Sequence, residues 1–370
     1  MASFKRICAP IVAGLVSLRT IASIGAAALF LAGCGMLAPR GDLPAEAALP
    51  AEADSALVRI ARDSSPAPEQ TGFRLMPIGS YALDARVQLA RRARHSIDAQ
   101  YYQLNNDDTG RLLLRNLRDA AARGVRVRLL IDDLYTIGSD ELLRSFAAFP
   151  NVEVRLFNPF CCGRTSIGAK YTASLADFGR LNHRMHNKLF IADGAVVVAG
   201  GRNIADEYFM RSMTDNFVDM DALMIGAVVP QLARIFDAYW NSPYVYPIDA
   251  IVPASGDDTA LRATFRHLVD EGEQMMSLAL PPVDILGYGP IGEDFDAGRL
   301  GLVWGTARAF ADSPDKVKAK NDEEARSMSV SMSVLDLVWQ AREEVVISSP
   351  YFIPGDRSVE QFAALAGRKV

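Results

Sequence analysis

The stretch His186-Asn187-Lys188-Leu189-Phe190-Ile191-Ala192-Asp193-Gly194-Ala195-Val196-Val197-Val198-Ala199-Gly200-Gly201-Arg202-Asn203 concentrates the chemistry of the chain. Two apolar runs, 188–192 and 195–199, are joined by Asp193-Gly194, a dipeptide that favours a tight hairpin turn. Strand alternation puts His186 and Lys188 on one side. A neutral imidazole can attack phosphorus, and a neighbouring ammonium can bind a phosphoryl oxygen and offset its charge. Asp193 leads the turn, where it can cap the turn or orient a neighbouring group. Gly200-Gly201 admits close approach of backbone to a ligand. Asn203 can donate its side-chain amide to a phosphate oxygen.

Upstream, helical spacing over 81–94 puts Leu83, Val87 and Ala90 on one stripe. Residues 96–103 alternate as a strand. A second helix over 109–123 carries Leu113, Leu117 and Ala120 inward and ends at Gly124. A buried strand over 125–131 closes on Asp132-Asp133, at the kind of strand end where α/β sites often sit. A helix over 140–149 and a strand over 152–157 continue the alternation. Downstream lie a strand over 223–229 and a helix over 230–239. Trp240 with Tyr239, Tyr244 and Tyr246 reads as core packing in preference to a lipid-facing patch. This β-α-β-α-β order implies an α/β fold with helices on the faces of a sheet. Residues 251–328 are less regular and read as an insert or linker.

The pattern H-x-K-x4-D-x6-G-G-x-N resembles the HKD motif of the phospholipase D superfamily. The flanks Ser96-Ile97-Asp98-Ala99-Gln100-Tyr101-Tyr102, Arg123-Gly124-Val125-Arg126-Val127-Arg128, Asn203-Ile204-Ala205-Asp206-Glu207-Tyr208-Phe209, Phe217-Val218-Asp219-Met220-Asp221 and Tyr239-Trp240-Asn241-Ser242 are similar to its bacterial cardiolipin-synthase branch. The resemblance implies a phospholipase D-like α-β-α sandwich. It implies His186 as nucleophile or general acid, Lys188, Asn203 and Gly201 around the phosphoryl group, and Asp193 supporting the histidine. It implies phosphatidyl transfer through a covalent phosphohistidine, with no metal and no cofactor. Phospholipids would be the substrates: phosphatidylglycerol, with phosphatidylethanolamine as a further candidate.

The family uses two facing HKD motifs, one histidine attacking while the other protonates the leaving group, and such acid help is worth roughly 10²–10⁴-fold. This sequence carries one. His95 and His267 lack a lysine two residues on, and His183 falls on the other face of a continuous strand from His186. A weak internal repeat sets Ala341-Arg342 and Ile347-Ser348-Ser349-Pro350-Tyr351-Phe352 against Ala93-Arg94 and Ile97-Asp98-Ala99-Gln100-Tyr101-Tyr102. The expected organisation is therefore one complete lobe, 71–250, and an incomplete start of a second, 329–370. A longer parent synthase is the favoured explanation. A homodimer sharing its single motifs, as a phosphodiesterase or nuclease, and an inactive lipid-binding remnant are the alternatives.

Lys5 and Arg6, an apolar run and Leu31-Ala32-Gly33-Cys34 have the layout of a secretory signal over 1–33. The last four residues resemble a bacterial lipobox, implying acylation at Cys34 and a lipid-anchored, periplasm-facing protein of the cell envelope. An uncleaved N-terminal anchor is the alternative. Residues 34–70, rich in Ala, Pro and Glu, read as a flexible tether. The 370 residues hold roughly two or three domains' worth of chain and are half hydrophobic and 22% charged, which excludes a disordered protein. Removing the three cations of residues 1–33 from a net charge of −5 leaves −8, a poor balance for binding nucleic acid. The four cysteines cannot build a disulfide scaffold, and the four scattered histidines argue against a zinc site.

Overall fold

The computed structural model describes residues 37, 40–270, 280–347, 355–368 and 370. Nine strands form one sheet in the order β8-β4-β3-β2-β5-β6-β7-β1-β9. They are β1 (Thr71–Met76), β2 (Ser96–Tyr101), β3 (Arg126–Asp132), β4 (Val152–Phe157), β5 (Leu189–Ala192), β6 (Val196–Gly200), β7 (Asp221–Gly226), β8 (Val245–Pro247) and β9 (Val303–Gly305). β2, β3 and β4 run parallel, as their helical crossovers require, and the remaining pairings are antiparallel.

Period-two alternation sorts the side chains into two layers. Val127, Leu129, Ile131, Phe190, Ala192, Val196 and Val198 enter the larger core. It is covered by the helices Gly79–Arg92, Asp108–Ala122 and Asp140–Phe146. Leu130, Leu189, Ile191 and Val197 enter the smaller core, beneath the helix Val229–Trp240. The expected α-β-α sandwich is present, because each strand buries alternate residues on opposite faces. Trp240 is fully buried and stacks on Phe236 at 5.6 Å between centroids, so it belongs to the core.

Two regions depart from the expectation. The helix Asp258–Asp270 adds Phe265 and Val269 to the larger core, the helix Ile291–Ala297 adds Ile291 and Phe295, and β9 extends the sheet beyond β1. The described residues of 251–305 therefore add to the core and sheet of the first lobe, more than an irregular insert would. Residues 40–70 are not loose either. Glu46 pairs with Arg155 at 2.7 Å, the Ala48 amide donates to Asp237, and Ser55 caps the helix Ala56–Ser64. A short apolar and hydrogen-bonded segment can dock on a ready surface even where its composition carries no periodicity. The repeat segment at 347–352 lies almost wholly outside the described residues, as do the signal and Cys34.

Candidate active site

The β5–β6 turn takes positive φ at both central residues, 51° at Asp193 and 60° at Gly194, the geometry that matches strand twist in a two-residue hairpin. β5 is paired on its other side to β2, with Gln100 opposite Leu189. Continuing that register brings Tyr102 beside residues 186–188. The Tyr102 ring lies 4.6 Å from the His186 ring.

The segment leading into His186 is pinned from β3. Asp132 accepts from the Met185 amide at 2.8 Å and from Arg184 Nη2 at 2.5 Å. Asp133 holds the neighbouring loop: it accepts from Arg164 and from the Phe160 amide, and sits 3.6 Å from Lys170. The expected strand-end aspartates are thus anchors that fix where the histidine emerges.

His186 is exposed, while Lys188 behind it is only 7% exposed. Lys188 Nζ lies 3.1 Å from His186 Nδ1 and donates to the His186 carbonyl at 2.8 Å. Burial pushes Lys188 down to about 8, against the attraction of Asp219, Asp132 and Asp221. Loss of hydration, then the Lys188 charge, holds His186 below its ordinary value, with Asp219 opposing. A ring biased toward its neutral form and a desolvated cation share one spot, an arrangement suited to a phosphoryl group.

Asn203 is buried, donating to the Tyr208 hydroxyl at 2.9 Å and accepting from the Gln103 amide at 3.2 Å. Gly201 plays another part than the expected one. Its amide already donates to the Met220 carbonyl at 3.1 Å, so it is not a free phosphate donor. What its missing side chain permits is close seating of the Asp219 carboxylate, which a Cβ would strike.

Asp193 stands away from the histidine. It lies beyond the opposite end of β5, fully buried, accepting from the amides of Arg94, His95 and Ser96 and from Ser55 Oγ. It ties the hairpin to the start of β2 and to the docked N-terminal segment. A four-residue strand separates it from Lys188, so it positions the site only through the sheet.

A segment from Ala307 to Val317 crosses beside the site. The Tyr239 hydroxyl donates to the Asp312 carbonyl at 3.0 Å, and the Ala309 amide donates to Gln231 at 3.1 Å. Two cavities border both His186 and this crossing. One, of about 350 Å³, is bordered by His183, Arg184, His186, Tyr239, Asp312 and Lys316. The other, of about 340 Å³, is bordered by Gln100, His186, Lys188, Ile235, Phe310 and Asp312. Residues 182–187 form no regular strand, so His183 reaches the same cavity as His186, contrary to the face expected from alternation. Among the described residues no three His, Cys, Asp or Glu side chains gather as a metal site, and Cys161 and Cys162 form no disulfide. None of the described helices is long and apolar enough to cross a membrane.

Tyr102, Asp219, Tyr208 and the crossing segment escaped sequence reasoning as site elements. Tyr102 and Asp219 lay inside quoted flanks, but only the fold brings them to the site, Tyr102 through the β2–β5 register and Asp219 through its seat against Gly201.

A family model described as "Cardiolipin synthase, PLD-like domain" matches residues 87–240. The chain belongs to the phospholipase D superfamily, within its cardiolipin synthase-like branch. It is 35% identical to cardiolipin synthase C of Escherichia coli over 314 residues, covering 82% of this chain and 62% of that one. It is 30% identical to a cardiolipin synthase of Staphylococcus aureus over 293 residues, covering 78% and 47% respectively. The chain thus spans about half to three-fifths of the length of these relatives. The solved phosphatidylserine synthase of Haemophilus influenzae aligns over 84% of this chain and 64% of its own, at 15% identity and a TM-score of 0.46.

Proposed function

We propose that this chain is the HKD-bearing lobe of a phosphatidyltransferase that makes cardiolipin from phosphatidylglycerol through a phosphohistidine at His186. The observation that carries the reading is the buried Lys188 ammonium 3.1 Å from the ring of an exposed His186, at the border of two cavities. Nδ1 faces Lys188, so Nε2 is the ring nitrogen left for phosphorus. For attack, the ring proton sits on Nδ1, and the ammonium turns from the ring to the incoming phosphoryl oxygen. The Nε2–P bond forms as the P–O bond to the leaving glycerol breaks, and the released oxygen takes a proton from a second acid. In the next step the hydroxyl oxygen of the acceptor lipid attacks phosphorus, the N–P bond breaks, and the hydroxyl proton passes to that second group. The given sequence holds one H-x-K. The second imidazole comes from a further motif in the parent protein or from a second copy of the chain.

Such substrates place the reaction at a membrane surface, and Cys34 supplies the anchor. Each buried acyl methylene contributes about 0.8 kcal/mol to holding it there. Cells expressing the parent protein should gain cardiolipin and lose the gain with His186→Ala. Acid-labile phosphate on a histidine-containing peptide should appear with wild type alone. Unchanged lipid content with the intact parent protein defeats the reading. Incorporated labelled palmitate should vanish with Cys34→Ser.

A further inference from the structure

Two long loops leave the same end of the sheet as His186. Residues 158–188 join the end of β4 to the start of β5, and residues 201–220 join the end of β6 to the start of β7. The pairings of Gln100 with Leu189 and of Gly200 with Asp221 set these strand ends side by side. Both loops turn apolar side chains to solvent. Met213 is 98% exposed and Val218 91%, with Met210, Phe217 and Met220 exposed near them in sequence. On the other loop Ile167, Leu175 and Phe178 are exposed. The charges are drawn back. Residues 212–218 hold a single one, Asp215. On the other loop Lys170 is buried beside Asp133, and Asp177 is paired with Arg180 at 2.5 Å. Among the described residues, the turns at the far end of the sheet, around Gly124, Asn151 and Gly194, expose no large apolar side chain of their own. Scattered exposed apolar residues are ordinary, but a group of them gathered at one end of a sheet marks an interaction surface.

A separate observation says what covers it. The docked N-terminal segment runs lengthwise beside the helix Val229–Trp240. Ser55 meets Asp193 beyond the far end of β5, the amides of Ala48 and Glu46 donate to Asp237 and Asn241, and Arg40 donates to the Ser242 carbonyl at 2.7 Å. Ser242 lies just before β8 pairs with the end of β4. Followed backward, the chain therefore leaves the lobe at the end that carries His186. Cys34 precedes Arg40 by six residues, a reach of about 20 Å at most when extended. An acyl group on Cys34 would hold this end of the sheet, and not the Asp193 end, against a bilayer. Unbranched methionines and an aromatic ring suit the fluid boundary of a bilayer, which demands no fixed complementarity.

The geometry points to this end of the sheet as a membrane-docking face, in which the tips of the two loops, led by Met213 and Val218, enter the acyl boundary of a phospholipid surface and hold His186 at headgroup level. The inference rests on the proposed reading of His186 and Cys34, so its first test needs neither to be right.

In that test the full chain is mixed with phosphatidylglycerol vesicles containing a diacylglycerol with a photoreactive diazirine on its acyl chain. This probe has no phosphate, so it reports insertion and not occupancy of a phosphoryl site. After irradiation and digestion, label should fall on peptides covering 167–178 and 210–220, about tenfold above peptides covering 122–126 and 149–152. The Cys34→Ser chains that sediment with the vesicles should show the same pattern. Met213→Asp combined with Val218→Asp should cut the label on 210–220 about fivefold. Label spread evenly over both ends of the sheet, or confined to the far end, overturns the docking face. So does a wild-type chain that self-associates without vesicles through these two residues while neither loop takes label, which gives the surface to a second copy. The second test compares turnover by the parent protein on phosphatidylglycerol vesicles and on a short-chain phosphatidylglycerol dissolved as monomers. The paired aspartate substitutions should lower the ratio of the two about tenfold, and Met213→Leu with Val218→Ile should keep it. Equal loss on both substrate forms overturns the assignment. Absence of turnover by wild type condemns the His186 chemistry and leaves the labelling pattern to decide the docking face.

Discussion

The two ends of β5 are built on opposite terms. At the Asp193 end, a fully buried carboxylate accepts from three backbone amides and one hydroxyl, and nothing is left for a ligand. At the His186 end, a cation is buried with no carboxylate among the described residues in hydrogen-bonding contact, a ring is exposed, and two cavities border it. One end is satisfied and stabilising; the other is left incomplete and costs stability. Residues five apart in one motif are thus separated into a structural part and a chemical part by a strand only four residues long.

Substitutions should separate the two ends. The largest effect belongs to His186→Ala, which should cut phosphatidyl transfer by about 10⁴-fold or more, since no other group takes over the bond to phosphorus. Its melting temperature should hardly move, because the ring is exposed. Lys188→Met should lower transfer by roughly 10²–10³-fold, the usual cost of losing one charge-stabilising group. The same change should raise stability. Lys188 has a folded value near 8, below its ordinary 10.5, so below pH 8 the native state bears the full penalty of a desolvated charge. Between pH 8 and 10.5 the native chain has released the proton while the unfolded chain keeps it, and the penalty lifts. The gain at pH 7 should approach roughly 3 kcal/mol in denaturant unfolding. A Lys188→Met chain that unfolds more easily would contradict the contrast between the ends.

Asp193→Asn should do the reverse. It should cost about 2–3 kcal/mol of stability, by weakening a buried charge-assisted network. Transfer by the folded fraction should stay within about threefold. A collapse of turnover at unchanged stability would return Asp193 to the catalytic group. The pH profile is a finer probe. Transfer should fall as pH rises through about 8, close to tenfold per unit beyond, as the ammonium is lost. On the acid side it should persist to lower pH than an ordinary histidine allows. The smallest effect is Tyr208→Phe. Removing the hydroxyl that accepts from Asn203 should raise KM about fivefold, near 1 kcal/mol.

What could be read from the sequence follows the range of the forces involved. The hairpin, the Gly124 helix stop and the alternating strands depend on neighbours within a few residues, and they appear where their residues predict them. The pairing of His186 with Lys188 was equally local. Asp193 was legible as a turn residue, but its partners Arg94, His95, Ser96 and Ser55 come from about 100 residues or more away in the chain. Tyr102 meets His186 from 84 residues away, and Asp219 seats against Gly201 across the loop that joins β6 to β7. The helix Asp258–Asp270 did carry a signal in Leu261, Phe265 and Val269, diluted by the irregular residues around it. β9, with three residues, is too short for any periodicity to declare it, and residues 40–55 dock through scattered backbone and side-chain contacts, such as Glu46 with Arg155, that composition does not encode.

The borders of the sheet set how copies of this lobe meet. β8 and β9, the outermost strands, have three residues each, and β8 ends in Pro247. Proline supplies no amide, and so few free backbone groups make a poor template for a foreign strand. Concentrated solutions of the lobe should therefore resist growth of fibrillar, edge-templated assemblies, whatever contacts its apolar loops make.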